Sequence, residues 1–203
     1  MASNQKWRKQ QSKDIYFKKA IADGWRSRAV YKLDQINKRS RLLKKGMICL
    51  DLGASPGGWS QYISKKLDRN VKIIAVDILP IEKIESVDFY QGDFTDEIFY
   101  EFLLKKTKNI KIDLVMSDMA PNISGIKVSD QAKSIYLAEL ARDVCKEILK
   151  SDGNFICKLF QGEGFDKYIK DTRRYFNKVN VFKPDASRAD SSEIFMIAKG
   201  FIG

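Results

Sequence analysis

From residue 47 onward, short apolar runs alternate with longer stretches of helical period. MICLDLG (47–53), KIIAVDI (72–78), VDFYQGD (87–93) and IDLVMSD (112–118) are compact and mostly apolar, as are strands buried on both faces of a parallel sheet. NFICKLF (154–160), NKVNVF (177–182) and EIFMIAK (193–199) predict three more strands. Between the fourth and fifth runs, Leu137, Ala138, Ala141, Val144, Cys145 and Ile148 fall on one helical face. Ser129 and Asp130 are placed to cap the start of that helix, and Gly153 to mark the turn before the next strand. No repeat, low-complexity tract or Pro/Ser-rich linker divides the chain, so residues 1–203 are expected to form a single domain.

This alternation predicts an α/β fold: a mostly parallel sheet with helices on both faces and ligands bound beyond the carboxyl ends of the strands. Asp51, Asp77, Asp93 and Asp118 all fall at such ends. A single strand-terminal carboxylate often does no more than cap a turn. Four on one rim are costly neighbours unless they bind something.

Charge sharpens the picture at the N-terminus. Lys and Arg number 37 against 26 Asp and Glu, a net charge of +11, and residues 1–45 hold fourteen of the bases but three of the acids. The whole excess therefore lies in the first quarter, where it is interleaved with Trp7, Tyr16, Phe17, Trp25 and Tyr31. Cations for phosphates and rings for unstacked bases predict that residues 1–45 form a basic, RNA-facing N-terminal extension and helix. The competing reading is a solvated basic tail. No continuous apolar helical face accompanies the charge, no run is long enough to span a bilayer, and the start lacks the apolar centre of a secretory signal. A cytoplasmic protein with no membrane partner is expected, and a start rich in Lys rather than Arg weighs against an organelle transit peptide.

Cys49, Cys145 and Cys157 are widely spaced inside apolar runs, so buried thiols are expected rather than a disulfide framework or a metal site. Histidine is absent from the sequence. Ser–His and Cys–His nucleophilic sites are thereby excluded, and any general base must be Lys, Asp, Glu, Tyr or Cys.

The loop after the first strand, DLGASPGGWS (51–60), does not fit the dinucleotide fingerprint. Gly53 is followed two positions later by Ser55, where close approach of a pyrophosphate needs glycine, and Pro56 lacks a backbone donor. The loop suits a ligand that comes close to backbone without a pyrophosphate, while Asp77 is placed to accept from ribose hydroxyls. S-adenosylmethionine is one such nucleoside ligand. Its adenosine would lie near Asp77 and Asp93, and its methionine end near Asp118 and the glycines.

Five segments carry a resemblance. DLGASPGGWSQYI, GWRSRAVYKL, VMSDMAPNISG, CKLFQGEGF and KPDASRADSSEIFMIAKG closely resemble, in order and nearly end to end, the FtsJ-like ribosomal RNA large-subunit methyltransferase E family. The resemblance implies a Rossmann-like S-adenosylmethionine-dependent methyltransferase fold of about seven strands, mostly parallel with the last antiparallel. It also implies methyl transfer from S-adenosylmethionine to the 2′-hydroxyl of a uridine ribose in large-subunit rRNA. The enzyme is expected to be a monomer that acts on the assembled large ribosomal subunit, with no metal and no DNA partner.

The family's catalytic set maps onto Lys32, Asp118, Lys158 and Glu193, and its cofactor contacts onto Gly57, Trp59, Asp77, Asp93 and Asp118. A ribose hydroxyl attacks poorly until its proton leaves, so with no imidazole available a lysine is a credible base. Lys158 is expected in that role, with Asp118 orienting it and with Lys32 and Glu193 positioning the ribose. The loop DMAPN differs from the DPPY-like loop of amino-directed methyltransferases, and no loop cysteine is placed for cytosine C5 chemistry. Other readings remain open: methylation of transfer RNA or mitochondrial rRNA, a non-catalytic ribosome assembly factor, or an oxidoreductase, against which the failed fingerprint argues.

Overall fold

In the computed structural model, which describes residues 14–122 and 124–203, every predicted strand forms. β1 (Ile48–Leu52), β2 (Lys72–Asp77), β3 (Val87–Gln91), β4 (Ile112–Ser117), β5 (Leu149–Phe160), β6 (Phe176–Phe182) and β7 (Glu193–Phe201) join one sheet in the order β3-β2-β1-β4-β5-β7-β6. The first five pair in parallel, and β7 enters antiparallel between β5 and β6.

Six helices accompany the sheet among the described residues: α1 (Ile15–Ala22), α2 (Val30–Ser40), α3 (Gly58–Lys66), α4 (Glu97–Thr107), α5 (Lys127–Ile148) and α6 (Phe165–Thr172). Because strand side chains alternate between faces, each strand feeds two cores. Cys49, Ile73, Leu114, Met116 and Phe195 pack under Val30, Leu33 and Ile36 of α2 and Trp59 and Ile63 of α3. Leu50, Ile74, Val115, Phe155 and Met196 pack under α4, α5 and α6 on the other side. The three cysteines are buried and free, as expected, and burial pushes the Cys157 thiol up to about 12.

Several local expectations change. β3 is an edge strand, half-exposed rather than buried. β5 begins at Leu149, because residues 150–153 bulge between the pairs Ile112–Leu149 and Leu114–Asn154; Gly153 sits in that bulge and not in a turn before the strand. Helix α5 starts at Lys127, so Ser129 and Asp130 lie in its first turn. Asp130 instead closes the preceding loop, accepting from Ser124 N at 2.8 Å and Gly125 N at 3.0 Å. Asp51 lies one residue inside β1, with 1% exposure, rather than at its end.

The aromatic residues of the basic segment are partly used in packing. Tyr31 is buried, 5.5 Å from Tyr16 and bonded to Asp23, and Trp25 packs on Tyr62 at 5.9 Å. Trp7 and the four bases Lys6, Arg8, Lys9 and Lys13 lie outside the described residues. Among the described residues no helix is long and apolar enough to cross a membrane, and no cluster of Cys, Asp and Glu could hold a metal ion.

Candidate active site

The carboxyl ends of β1 to β4 surround a cavity of about 410 Å³, within the usual range of roughly 300–1,000 Å³ for small-molecule sites. Gly53 and Ser55 line it after β1, Asp77 and Leu79 after β2, Asp93 and Phe94 after β3, and Asp118 and Met119 after β4, with Leu137 of α5 completing the wall. Here Gly53 has a definite task. Its φ is +76°, and a Cβ there would meet Met119 Cγ at 2.7 Å and Met119 backbone atoms at 3.1 Å. The loops after β1 and β4 close on each other only because that atom is missing.

Asp77 fastens the rim. One carboxylate oxygen accepts from Ser55 N at 2.8 Å and the other from Leu79 N at 2.8 Å. Asp93 is exposed and uses one oxygen on Thr95. The remaining expected cofactor residues stand apart from this cavity. Gly57 begins α3 with φ +98°, its missing Cβ making room for Ile84 and Arg26. Trp59 is buried in an adjoining crevice that also touches Gly53, Asp51 and Asp118, and its Nε1 donates to Ala29 O at 2.9 Å. Sequence reading did not single out Arg26, which ties the loop together by donating to the carbonyls of Glu82 at 2.7 Å and Lys83 at 3.0 Å.

The four side chains assigned to chemistry meet at one edge of the cavity. In the β5–β7 ladder Lys158 faces Phe195 and Phe160 faces Glu193, so Lys158, Phe195 and Glu193 share the face covered by α2. Lys32 of α2 reaches down onto that face, with Nζ 5.5 Å from the Phe195 ring and 2.8 Å from each Glu193 oxygen. Ser187 Oγ donates to Glu193 Oε1 at 2.7 Å. Asp118, one residue past β4, links the pair to the cavity: its Oδ1 is 3.1 Å from Lys158 Nζ and 4.0 Å from Lys32 Nζ. Lys158 Nζ also donates to Asp118 O at 2.5 Å.

The carboxyls of Asp118 and Asp51 are driven in opposite directions. Burial opposes ionisation of Asp118, but the Lys158 and Lys32 cations outweigh it and hold the carboxyl below the usual carboxylate range. Asp51 has Ser60 Oγ at 2.7 Å and, among the described residues, no paired cation. Burial, reinforced by Asp118 and Asp77, pushes it up to about 7.

A seven-stranded sheet with β7 reversed, a nucleoside-sized cavity on its carboxyl rim and a Lys-Asp-Lys-Glu cluster at the cavity's edge define a Rossmann-like methyltransferase. The family model for FtsJ-like methyltransferases matches residues 25–201, and the chain belongs to that family. It is 47% identical over 99% of its length to a ribosomal RNA large subunit methyltransferase E of Cellvibrio japonicus, 95% of which is covered. To the protein of the same name in Hahella chejuensis it is 46% identical, covering 99% of this chain and 98% of that one. Among solved structures, a Plasmodium falciparum protein described as a ribosomal RNA methyltransferase superposes with a TM-score of 0.78 at 29% identity, covering 88% of this chain and all of that one.

Proposed function

We propose that the protein methylates the 2′-hydroxyl of a uridine ribose in the rRNA of the large ribosomal subunit, using S-adenosylmethionine. One observation carries the reading: Asp118 is both a wall of the cavity and the anchor of Lys158, so donor pocket and acceptor groups meet at a single carboxylate. The residues present fit the cofactor. Asp77 and Asp93 would offer acceptors to ribose hydroxyls, Leu79, Phe94 and Leu137 would offer apolar surface to an adenine, and the ionised Asp118 would suit a sulfonium cation. When bound, S-adenosylmethionine supplies a methyl group on positively charged sulfur.

The chain's own part is to prepare the oxygen. Lys158 Nζ has three bonding directions; the Asp118 carbonyl takes one, and the Asp118 carboxylate pairs with the same nitrogen at 3.1 Å. To act as the base, Lys158 must first give up its own proton; its amine would then take the proton of the ribose hydroxyl as that oxygen receives the methyl group. Lys32, clamped by Glu193, supplies positive charge where the alkoxide develops.

The test is transfer from methyl-labelled S-adenosylmethionine to unmethylated large subunits, naked rRNA and transfer RNA in parallel, followed by mapping of the modified nucleoside. Label in a 2′-O-methyluridine of the large-subunit rRNA is the expected result. Label confined to transfer RNA, or carried on a base, overturns it.

A further inference from the structure

We propose that a second cavity, of about 220 Å³ on the outer side of the Lys32–Glu193 pair, is a phosphate site in which Arg188 and Arg28 hold a phosphodiester next to the acceptor ribose. The proposal rests on the 2′-O reading above. Arg28, Ala29, Lys32, Arg188, Ser191 and Glu193 line the cavity, so three cations face a space that one carboxylate enters. That carboxylate is already committed to Lys32 and Ser187. Arg28 is anchored to Asp14 and to the carbonyl of Ala186. Its guanidinium is lowered from its ordinary value, first by burial and then by the Arg188 cation.

Arg188 differs from its neighbours. It is exposed and has no acceptor within hydrogen-bonding or ion-pair distance among the described residues. Yet the loop that presents it is fixed: Ala186 N donates to Gln35 Oε1 at 3.2 Å, Ser187 Oγ to Glu193, and Lys183 Nζ to Ser191 O at 2.7 Å. A guanidinium held beside a second guanidinium repels it, and an anion placed between them removes that repulsion. The planar fork of arginine matches two oxygens of a phosphate. The RNA backbone provides such an anion within a few bonds of the 2′-hydroxyl, and the cavity lies against the lysine that faces that hydroxyl. Because Arg28 is tied into the fold and Arg188 is not, Arg188 is the residue to change.

The experiment compares the full-length wild type, Arg188→Ala and Arg188→Lys on unmethylated large subunits across a range of KCl concentrations, with S-adenosylmethionine affinity and Tm measured alongside. For Arg188→Ala, KM for the subunit should rise about tenfold, equivalent to about 1.4 kcal/mol. The salt slope of log kcat/KM should fall by about one phosphate contact, while cofactor affinity and Tm stay put. Arg188→Lys should recover the slope but only part of the KM, because the charge is kept and the fork lost. An unmoved KM and slope in Arg188→Ala overturns the phosphate site while leaving the methyl-transfer reading intact. A wild type that transfers no label to subunits overturns that reading, and this site with it.

Discussion

Lys158 shows what a single residue inherits from its position. In the sequence it is one base in a strand-like run, and a long lysine at a strand end ordinarily extends its ammonium into water. Here it is 8% exposed and held by two oxygens of one aspartate. If it is the base, Lys158→Ala should lower kcat by roughly 10²–10⁴-fold, the usual worth of a positioned base, and calorimetry should show S-adenosylmethionine binding retained. Turnover close to wild type would remove Lys158 from the mechanism. Asp51 makes a different prediction. Its native value of about 7 stands against about 3.9 in the unfolded chain, so between these values the native state binds the extra proton. Its favourable contribution is full below the lower value and is lost as pH rises through the upper one. Relative to Asp51→Asn, whose amide oxygen can still accept from Ser60, the wild type should lose Tm steadily from pH 4 to pH 8. A Tm difference that does not vary with pH would contradict the titration.

At the scale of elements, the apolar runs marked every strand, the central ones because both of their faces are buried. What they could not place were the joints. The bulge at 150–153, the early start of α5 and the half-exposed edge of β3 depend on which neighbour each segment meets, and a single strand or helix carries no record of that. The β1–α3 loop shows the same limit: its glycines announced close backbone approach, but that the approaching partner is Met119 of the loop after β4 is a tertiary fact. Gly53→Ala should therefore cost about 1–3 kcal/mol, through a positive φ and a backbone clash together. It should also weaken S-adenosylmethionine binding, since both loops wall the cavity. Chemical denaturation and calorimetry on the purified variant measure the two effects, and wild-type values for both would show that the loops have room to spare.

The whole molecule joins Lys32 to Glu193 across 161 positions of sequence, and it does so by sheet order rather than by any local signal. Reversing β7 brings Glu193 alongside Lys158, and laying α2 over that face delivers Lys32 from above. The net charge of +11 also belongs to this scale, being concentrated in residues 1–45. Phosphate contacts confer affinity and salt sensitivity but no choice of sequence. Replacing Lys6, Arg8, Lys9 and Lys13 together by Gln should weaken RNA binding and flatten its salt dependence, read as the slope of log Kd against log salt. An unchanged slope would place those four away from phosphate.

Taken alone, the sequence determined the strand and helix periods, the buried thiols, a chemistry without imidazole and the motifs that mark the family, because each of these is a property of residue type and spacing. Tertiary structure decided that Asp118 joins the cofactor cavity to Lys158, that Ser187 steadies Glu193, that Tyr31 fills a core and that Arg188 stands beside Arg28 without a partner among the described residues. The physical reason is range. Periodicity and turn chemistry act over a few residues, whereas ion pairs and desolvation depend on distances that only the folded sheet sets.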